Sequence, residues 1–369
     1  MKKISIILLS FITLFLTFIH HSEVQAAAMN FSVQPILPNN QVRANEGYFD
    51  LLLAAGEQQT LTVELSNSSN QSMTLEASFN RATTNMNGLA VYSPEPSAVD
   101  ASLKYNISEY VKVPKEITVP AKTKVDIKVE VSMPTDKFEG ILAGGITFKE
   151  KTDKAEAKKA GVTITNAYQY VVALLMRQQI TAVNPELSLH EIKPSQVNAR
   201  NVINANLQNS AMTYLNQMVV ETEIKGISDS NLTYQYDKSA LQMAPNSNFD
   251  LPIPISIQGE LKSGESSQPL KAGKYHLTMT VYGAEEKNGA YQTKVEGKTT
   301  NYKYKWIFNR DFEITGEEVA ALNASDPTVE KVKHWNWWLI LLLVLFILLL
   351  ILFWLLWRRR KKEEKDEEI

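Results

Sequence analysis

An all-β chain of two tandem immunoglobulin-like β-sandwich domains, set between an N-terminal signal peptide and one C-terminal transmembrane helix, is the architecture this 369-residue sequence predicts. Three features carry that prediction. From Phe31 to Ile314 apolar residues alternate with polar ones. Turn residues interrupt the alternation about every ten residues, the spacing of a sandwich. The second half of the region also echoes the first.

Taken in order, residues 1–28 open with Lys2 and Lys3, run apolar from Ile4 to Ile19 and end in small residues at Ala26 to Ala28, the plan of a secretory signal. The first domain is placed at 30–182. "TLTVELSNSSNQSMTLEASF" puts Leu61, Val63 and Leu65 on one strand face, passes through a Ser/Asn loop, and puts Leu75, Ala77 and Phe79 on the next. "EITVPAKTKVDIKVEVSMP" repeats the pattern with Ile117 and Val119, then Val125, Ile127, Val129 and Val131. "MPTDKFEGILAGGITFKE" holds Gly140, Gly144 and Gly145. It lacks the Gly-Lys-Ser/Thr of a phosphate loop, and Lys137, Glu139, Lys149 and Glu150 make it too polar for a membrane helix motif. It predicts a turn at Pro134 to Lys137 and a strand from Phe138 to Phe148 whose glycines admit a bulge or the close approach of another backbone. The charged insert Lys149 to Gly161 reads as a solvated loop or short helix. "TITNAYQYVVALLMRQQI", apolar on both faces, reads as a strand covered on both sides or the last strand of its domain.

The seam between domains falls near Asn184-Pro185, and the second domain occupies 183–315. Its "ARNVINANLQNSAMTYLNQMVVETEI" echoes the early strand pair of the first domain, and "KAGKYHLTMTVYG" echoes "DKFEGILAGGITF". Residues 316–334 read as a linker of about 20 residues, reaching at most about 65 Å. Residues 335–357 carry no charge and are long enough to cross a hydrocarbon core of about 30 Å. Trp335, Trp337 and Trp338 mark one interface and Trp354 and Trp357 the other. Arg358, Arg359, Arg360, Lys361 and Lys362 follow, so the positive-inside bias puts the tail, 358–369, in the cytoplasm and both domains outside.

Composition narrows the function. A net charge of -2 offers no basic field for nucleic acid. The absence of cysteine removes disulfides, thiolate metal sites and a cysteine nucleophile, and secretion without cysteine fits a Gram-positive surface. His190 and His276 have no second histidine at ligand spacing, so no metal and no cofactor is predicted. The remaining enzymatic idea is a carboxylate pair for glycan hydrolysis, Asp136 with Glu139 or Glu285 with Glu286, and loop positions favour plain surface charge for these. A partner-coupled receptor is a further alternative, against which stands a tail of about a dozen residues. The chain therefore reads as a binder and not an enzyme. Candidate binding residues are Tyr92, Tyr105 and Tyr110 near turns, the Gly144-Gly145 pair, and Tyr302, Tyr304 and Trp306. The last three share one face of "NYKYKWIF" with Phe308, as either core or a stacking platform for sugar or peptide.

The order of parts, from "FSVQPILPNNQ" and "GYFDLLLAAGEQQTLTVELSN" through "VPKEITVPAKTKVDIKVEVSMP" and "FEGILAGGITF" to a second domain, one membrane helix and a basic tail, resembles the WxL-interacting proteins of Gram-positive bacteria. The resemblance spans essentially the whole chain. It implies a first domain that binds peptidoglycan, a second that binds a host matrix protein or a WxL surface protein, and no catalytic residue.

Overall fold

The computed structural model describes residues 30–44, 46–92, 98–151, 168–330 and 337–366. The expected signal peptide and most of the charged insert lie outside these residues.

The first sandwich stacks two sheets. One runs in the order β1 (Phe31–Ile36), β3 (Gln58–Asn67), β9 (Lys124–Ser132), β7 (Val111–Lys112). The other runs β2 (Phe49–Leu52), β11 (Gln169–Arg177), β10 (Leu142–Glu150), β4 (Met73–Arg81), β8 (Glu116–Val119). Because side chains alternate along a strand, each sheet turns one set of apolar residues inward. Leu61, Val63 and Leu65 of β3 meet Leu75 of β4, Val129 of β9 and Phe148 of β10 in one core, none more than 1% exposed. A small hairpin, β5 (Thr83–Thr84) with β6 (Ala90–Val91), projects from the end of β4.

The second sandwich is built from β12 (Leu187–Val197), β13 (Arg200–Asn209) and β16 (Ser247–Pro254) in one sheet. Its other sheet runs β15 (Thr233–Met243), β14 (Leu215–Gly226), β17 (Gly273–Glu285), β19 (Lys298–Ile314), β18 (Tyr291–Val295). The echo in the sequence is thus a duplication of topology. The series β1-β3-β9 corresponds to β12-β13-β16, and β8-β4-β10-β11 to β15-β14-β17-β19. In neither copy do the early strands form a hairpin: β3 and β4, like β13 and β14, lie in opposite sheets.

A buried asparagine makes that crossing in each copy. Asn67, 2% exposed, ends β3, and its Nδ2 donates to the carbonyls of Gln71 at 2.8 Å and Val119 at 3.0 Å. Asn209, 0% exposed, ends β13 and donates to Thr213 O at 2.7 Å and Ala244 O at 3.1 Å. In each copy one amide thus ties a loop carbonyl to a carbonyl at a strand end, since its two N–H groups can serve two acceptors at once.

Two expectations change. The strand predicted from Phe138 begins at Leu142, because Gly140 takes φ +99 and Ile141 N donates to Met212 O across the domain seam. The expected linker, 316–334, is largely part of the second domain. Thr315 and Glu318 form a reciprocal capping box that starts α1 (Gly316–Ser325). Val319 and Leu322 then pack on the second core, and Asp326, fully buried, accepts from Asn201 N at 2.9 Å and Thr328 N at 2.8 Å. Beyond residue 336, α2 (Trp337–Asp366) includes Ile340–Arg358, a 19-residue span of mean hydropathy 3.3 long and apolar enough to cross a membrane.

Replacing either corner asparagine by alanine removes the amide hydrogen bonds that tie the loop to the strand end, so Asn67→Ala and Asn209→Ala are each expected to cost about 1–3 kcal/mol in denaturant unfolding. The exposed Asn87→Ala serves as control and should stay within about 0.5 kcal/mol; corner variants as mild as the control would remove the asparagines from this role.

Candidate functional site

The strand read as covered on both sides is β11, and its two covers differ. Leu174 and Met176 face the first core, while Leu175 points out into a second cluster with Ala82, Ala143 and Ala244, the last from the other domain. The two sandwiches therefore meet over the outer face of the β10-β11 pair.

Polar groups lock this seam. Asp100, 3% exposed, lies in the first domain, yet its carboxylate accepts from Gln208 Nε2 at 2.8 Å and from Asn248 Nδ2, both of the second domain, as well as from Ser102 Oγ at 2.6 Å. Burial opposes the charge, but these donors outweigh it and hold the Asp100 pKa below the usual 3.8. Asn246 Nδ2 donates to Ser102 O at 3.1 Å, and Ala244 N donates to Thr84 Oγ1 at 3.0 Å. Thr84 Oγ1 and Ser247 Oγ lie 2.6 Å apart. Two glycines of the first domain allow the backbones to touch. A Cβ at Gly140 would sit 2.3 Å from Met212 O, and one at Gly88 2.2 Å from Leu241 Cδ2.

The tyrosines singled out in the first domain go to three different places. Tyr92 lies at the seam, its hydroxyl 3.0 Å from that of Tyr214. Tyr105 is core, 8% exposed, packed on Phe138 and donating to Asp136 Oδ2 at 3.1 Å. Tyr110 packs against the same core and borders a shallow polar hollow of about 350 Å³ with Glu130 and Ser132. Gly144 and Gly145 are packing residues. A Cβ on Gly144 would meet the Phe79 ring at 2.4 Å, and one on Gly145 the Tyr92 side chain at 2.8 Å, so Gly145 is the seat on which Tyr92 reaches the second domain.

In the second domain, Tyr304 and Trp306 stack at 5.7 Å, with Trp306 and Phe308 on the core and the Tyr304 hydroxyl donating to Asn184 Oδ1 at 2.8 Å. Tyr302 leaves that row and joins Val219 and Tyr282 in a separate buried cluster. The register of β17 on β19 is the same at Gly283↔Tyr304 and at Glu285↔Tyr302, and between them Ala284 takes a φ of 58. The predicted residues thus do not converge on one surface.

What does converge is a groove of about 820 Å³ along the seam. Its first-domain wall carries Arg43, Tyr48, Tyr92 and Arg177, and its second-domain wall Tyr214, Asn216, Gln217 and Gln242. Arg177 Nη2 donates to Asp50 Oδ1 at 2.6 Å, and Arg43 Nε stands 3.8 Å from Asp50 Oδ2. Asp50 is fully buried, whereas the Arg43 side chain is 63% exposed. Burial pushes the Tyr92 and Tyr214 phenols above their ordinary pKa, so both are neutral and one donates to the other. Of these residues only Tyr92 was singled out from sequence, because the others come from segments that meet only when the sandwiches dock.

Gly140→Val, barred both by its φ of +99 and by the Met212 carbonyl, is expected to split one cooperative calorimetric unfolding transition into two while each sandwich stays folded. The depressed Asp100 pKa gives a second test. Its contribution to the seam is complete above the unfolded carboxylate value near 3.9 and is lost as pH falls through the lower folded value. The parent chain should therefore show separated transitions only below about pH 4, and Asp100→Asn at every pH. Transitions that stay coupled in Asp100→Asn at neutral pH would count against the assignment.

Comparison with known proteins supplies the family. Residues 31–150 match the peptidoglycan binding domain of the WxL Interacting Protein family, and residues 159–324 match the host binding domain of the same family. The second match begins ahead of β11, although β11 completes the first sandwich. No curated protein sequence matches the chain. Similar solved structures include the class 5 fimbriae chaperone CfaA, 13% identical, TM-score 0.28, covering 76% of this chain and 99% of that one. The E. coli chaperone DraB is 11% identical, TM-score 0.26, covering 77% and 98%. The SafB chaperone with the SafA pilin of Salmonella enterica is 10% identical, TM-score 0.28, covering 76% and 98%. With one binding domain matched in each half, the chain belongs to the WxL-interacting protein family.

Proposed function

We propose that this protein is a membrane-anchored scaffold of the cell surface that holds peptidoglycan through its first sandwich and a WxL surface protein or a host matrix protein through its second. It acts by contact, without turnover. The observation that carries the reading is the succession, in one chain, of a peptidoglycan binding domain, a host binding domain and an apolar helix. The basic run from Arg358 to Lys362 supports a cytoplasmic C-terminus, with the sandwiches on the wall side. The acids considered for glycan hydrolysis, Asp136, Glu139, Glu285 and Glu286, are all exposed, and Asp136 is engaged by the Tyr105 hydroxyl.

Sedimentation with purified insoluble wall tests this. Residues 30–182 are expected to pellet with wall, and residues 183–330 to stay soluble but capture a WxL protein or a matrix protein. The reverse distribution reverses the domain assignment, and release of reducing ends from wall glycan replaces the scaffold by a hydrolase.

A further inference from the structure

We propose that the groove at the domain seam is a binding site for a carboxylate-bearing saccharide, with Arg43 and Arg177 on the carboxylate and the tyrosines against the sugar ring. The inference rests on the reading of the chain as a surface binder and goes beyond it by naming a site that neither domain makes alone.

Charge is the first argument. Two guanidiniums border the groove against one carboxylate, Asp50, and among the described lining residues there is no aspartate or glutamate. One positive charge is left over, and it is the exposed one, Arg43. Arg177 Nε and Asp50 Oδ2 are both buried without a hydrogen-bond partner, so the Arg177–Asp50 pair is joined by the Nη2–Oδ1 bond alone, and a guanidinium has five donors of which a carboxylate can take two side by side. The second argument is the surface facing these arginines. Tyr48, Tyr92 and Tyr214 line the groove with the aromatic surface on which a sugar packs, and Gln217 adds an amide that both donates to and accepts from hydroxyls, beside Asn216 and Gln242, which are bonded to each other.

The third argument is backbone shape. The β14-β15 ladder breaks register twice along this wall, between Leu215 and Met218 and between Met218 and Val220. Gln217 and Ala240, on opposite strands of that ladder, take φ of 51 and 57, which a non-glycine residue adopts at a cost of about 1 kcal/mol or more. Such bulges re-aim side chains, and here they leave Asn216 and Gln217 exposed at the rim. The volume, about 820 Å³, falls in the range of about 300–1,000 Å³ typical of small-ligand sites.

Two sources supply this chemistry: the lactyl carboxylate of a muramic-type sugar in wall glycan from which the stem peptide has been removed, and the carboxylate of a hexuronate in a host glycan. The test is calorimetric titration of the detergent-solubilised full chain with N-acetylmuramic acid, glucuronic acid and, as neutral control, N-acetylglucosamine. Saturable binding of an acidic sugar at least about tenfold tighter than the neutral one is expected, weakened about tenfold by Arg43→Gln. That variant changes a side chain that is 63% exposed, so its melting temperature should match the parent's. Preference for the muramic or the hexuronic sugar assigns the source. The proposal is overturned if neither acid binds, if the neutral sugar binds equally well, if Arg43→Gln has no effect, or if a Glu-Glu dipeptide binds more tightly than both sugars. Wall sedimentation of the parent separates the two levels: a parent that sediments with wall but binds neither acidic sugar sinks the groove and leaves the scaffold, while a parent that fails to sediment sinks the scaffold.

Discussion

Everything distinctive about this molecule depends on a buried carboxylate at the meeting of two sandwiches. Asp100 is out of water and yet charged, because Ser102 on its own side and Gln208 and Asn248 on the other supply the hydrogen bonds that water would have made. A buried charge without such donors costs several kcal/mol, so the seam is stable only in the docking geometry that brings all of them together. Polar networks of this kind favour one arrangement over many, whereas the small apolar cluster of Ala82, Ala143, Leu175 and Ala244 could tolerate sliding. The groove, the Tyr92–Tyr214 pair and the contact at Gly140 all inherit their geometry from that fixed docking.

Duplication explains the plan, and divergence explains the specialisation. Asn67 and Asn209 make the same turn between sheets, on the same kinds of carbonyl, four residues ahead and at the end of a neighbouring strand. The copies differ where they touch. β10 carries Gly144 and Gly145 so that Phe79 and Tyr92 can lie close on its two faces, while the matching β17 carries Leu277, Met279 and Val281, which fill their own core. In β17 the interior glycine comes late, at Gly283, beside Leu215 and Trp306 and just before Ala284 with its φ of 58.

The end of the second sandwich sets its distance from the membrane. Because α1 and the Asp326 turn belong to the folded body, and Val329 is 6% exposed and bridged to Ser267, six residues separate Glu330 from the start of α2. Even fully extended, six residues reach about 20 Å, well short of the 65 Å expected of a free linker. The second sandwich is thus held close to the end of the apolar helix.

Local pattern determined much of this protein by itself. Period-two alternation at Leu61, Val63 and Leu65 fixes which face is buried, a two-sided apolar run marks β11, and an uncharged stretch of lipid-crossing length marks the final helix, because each signal depends only on near neighbours in the chain. The capping box Thr315-x-x-Glu318 was also present to be read, but nothing local says that its helix folds back onto a core. Tertiary structure alone decided the rest. Whether Tyr105 is exposed or core, whether Gly145 seats a ligand or Tyr92, and whether Arg43 and Gln217 share a groove all depend on contacts between residues far apart in sequence. Such contacts arise from the shape of two completed sandwiches and the donors they happen to align, and no periodicity in either half encodes them.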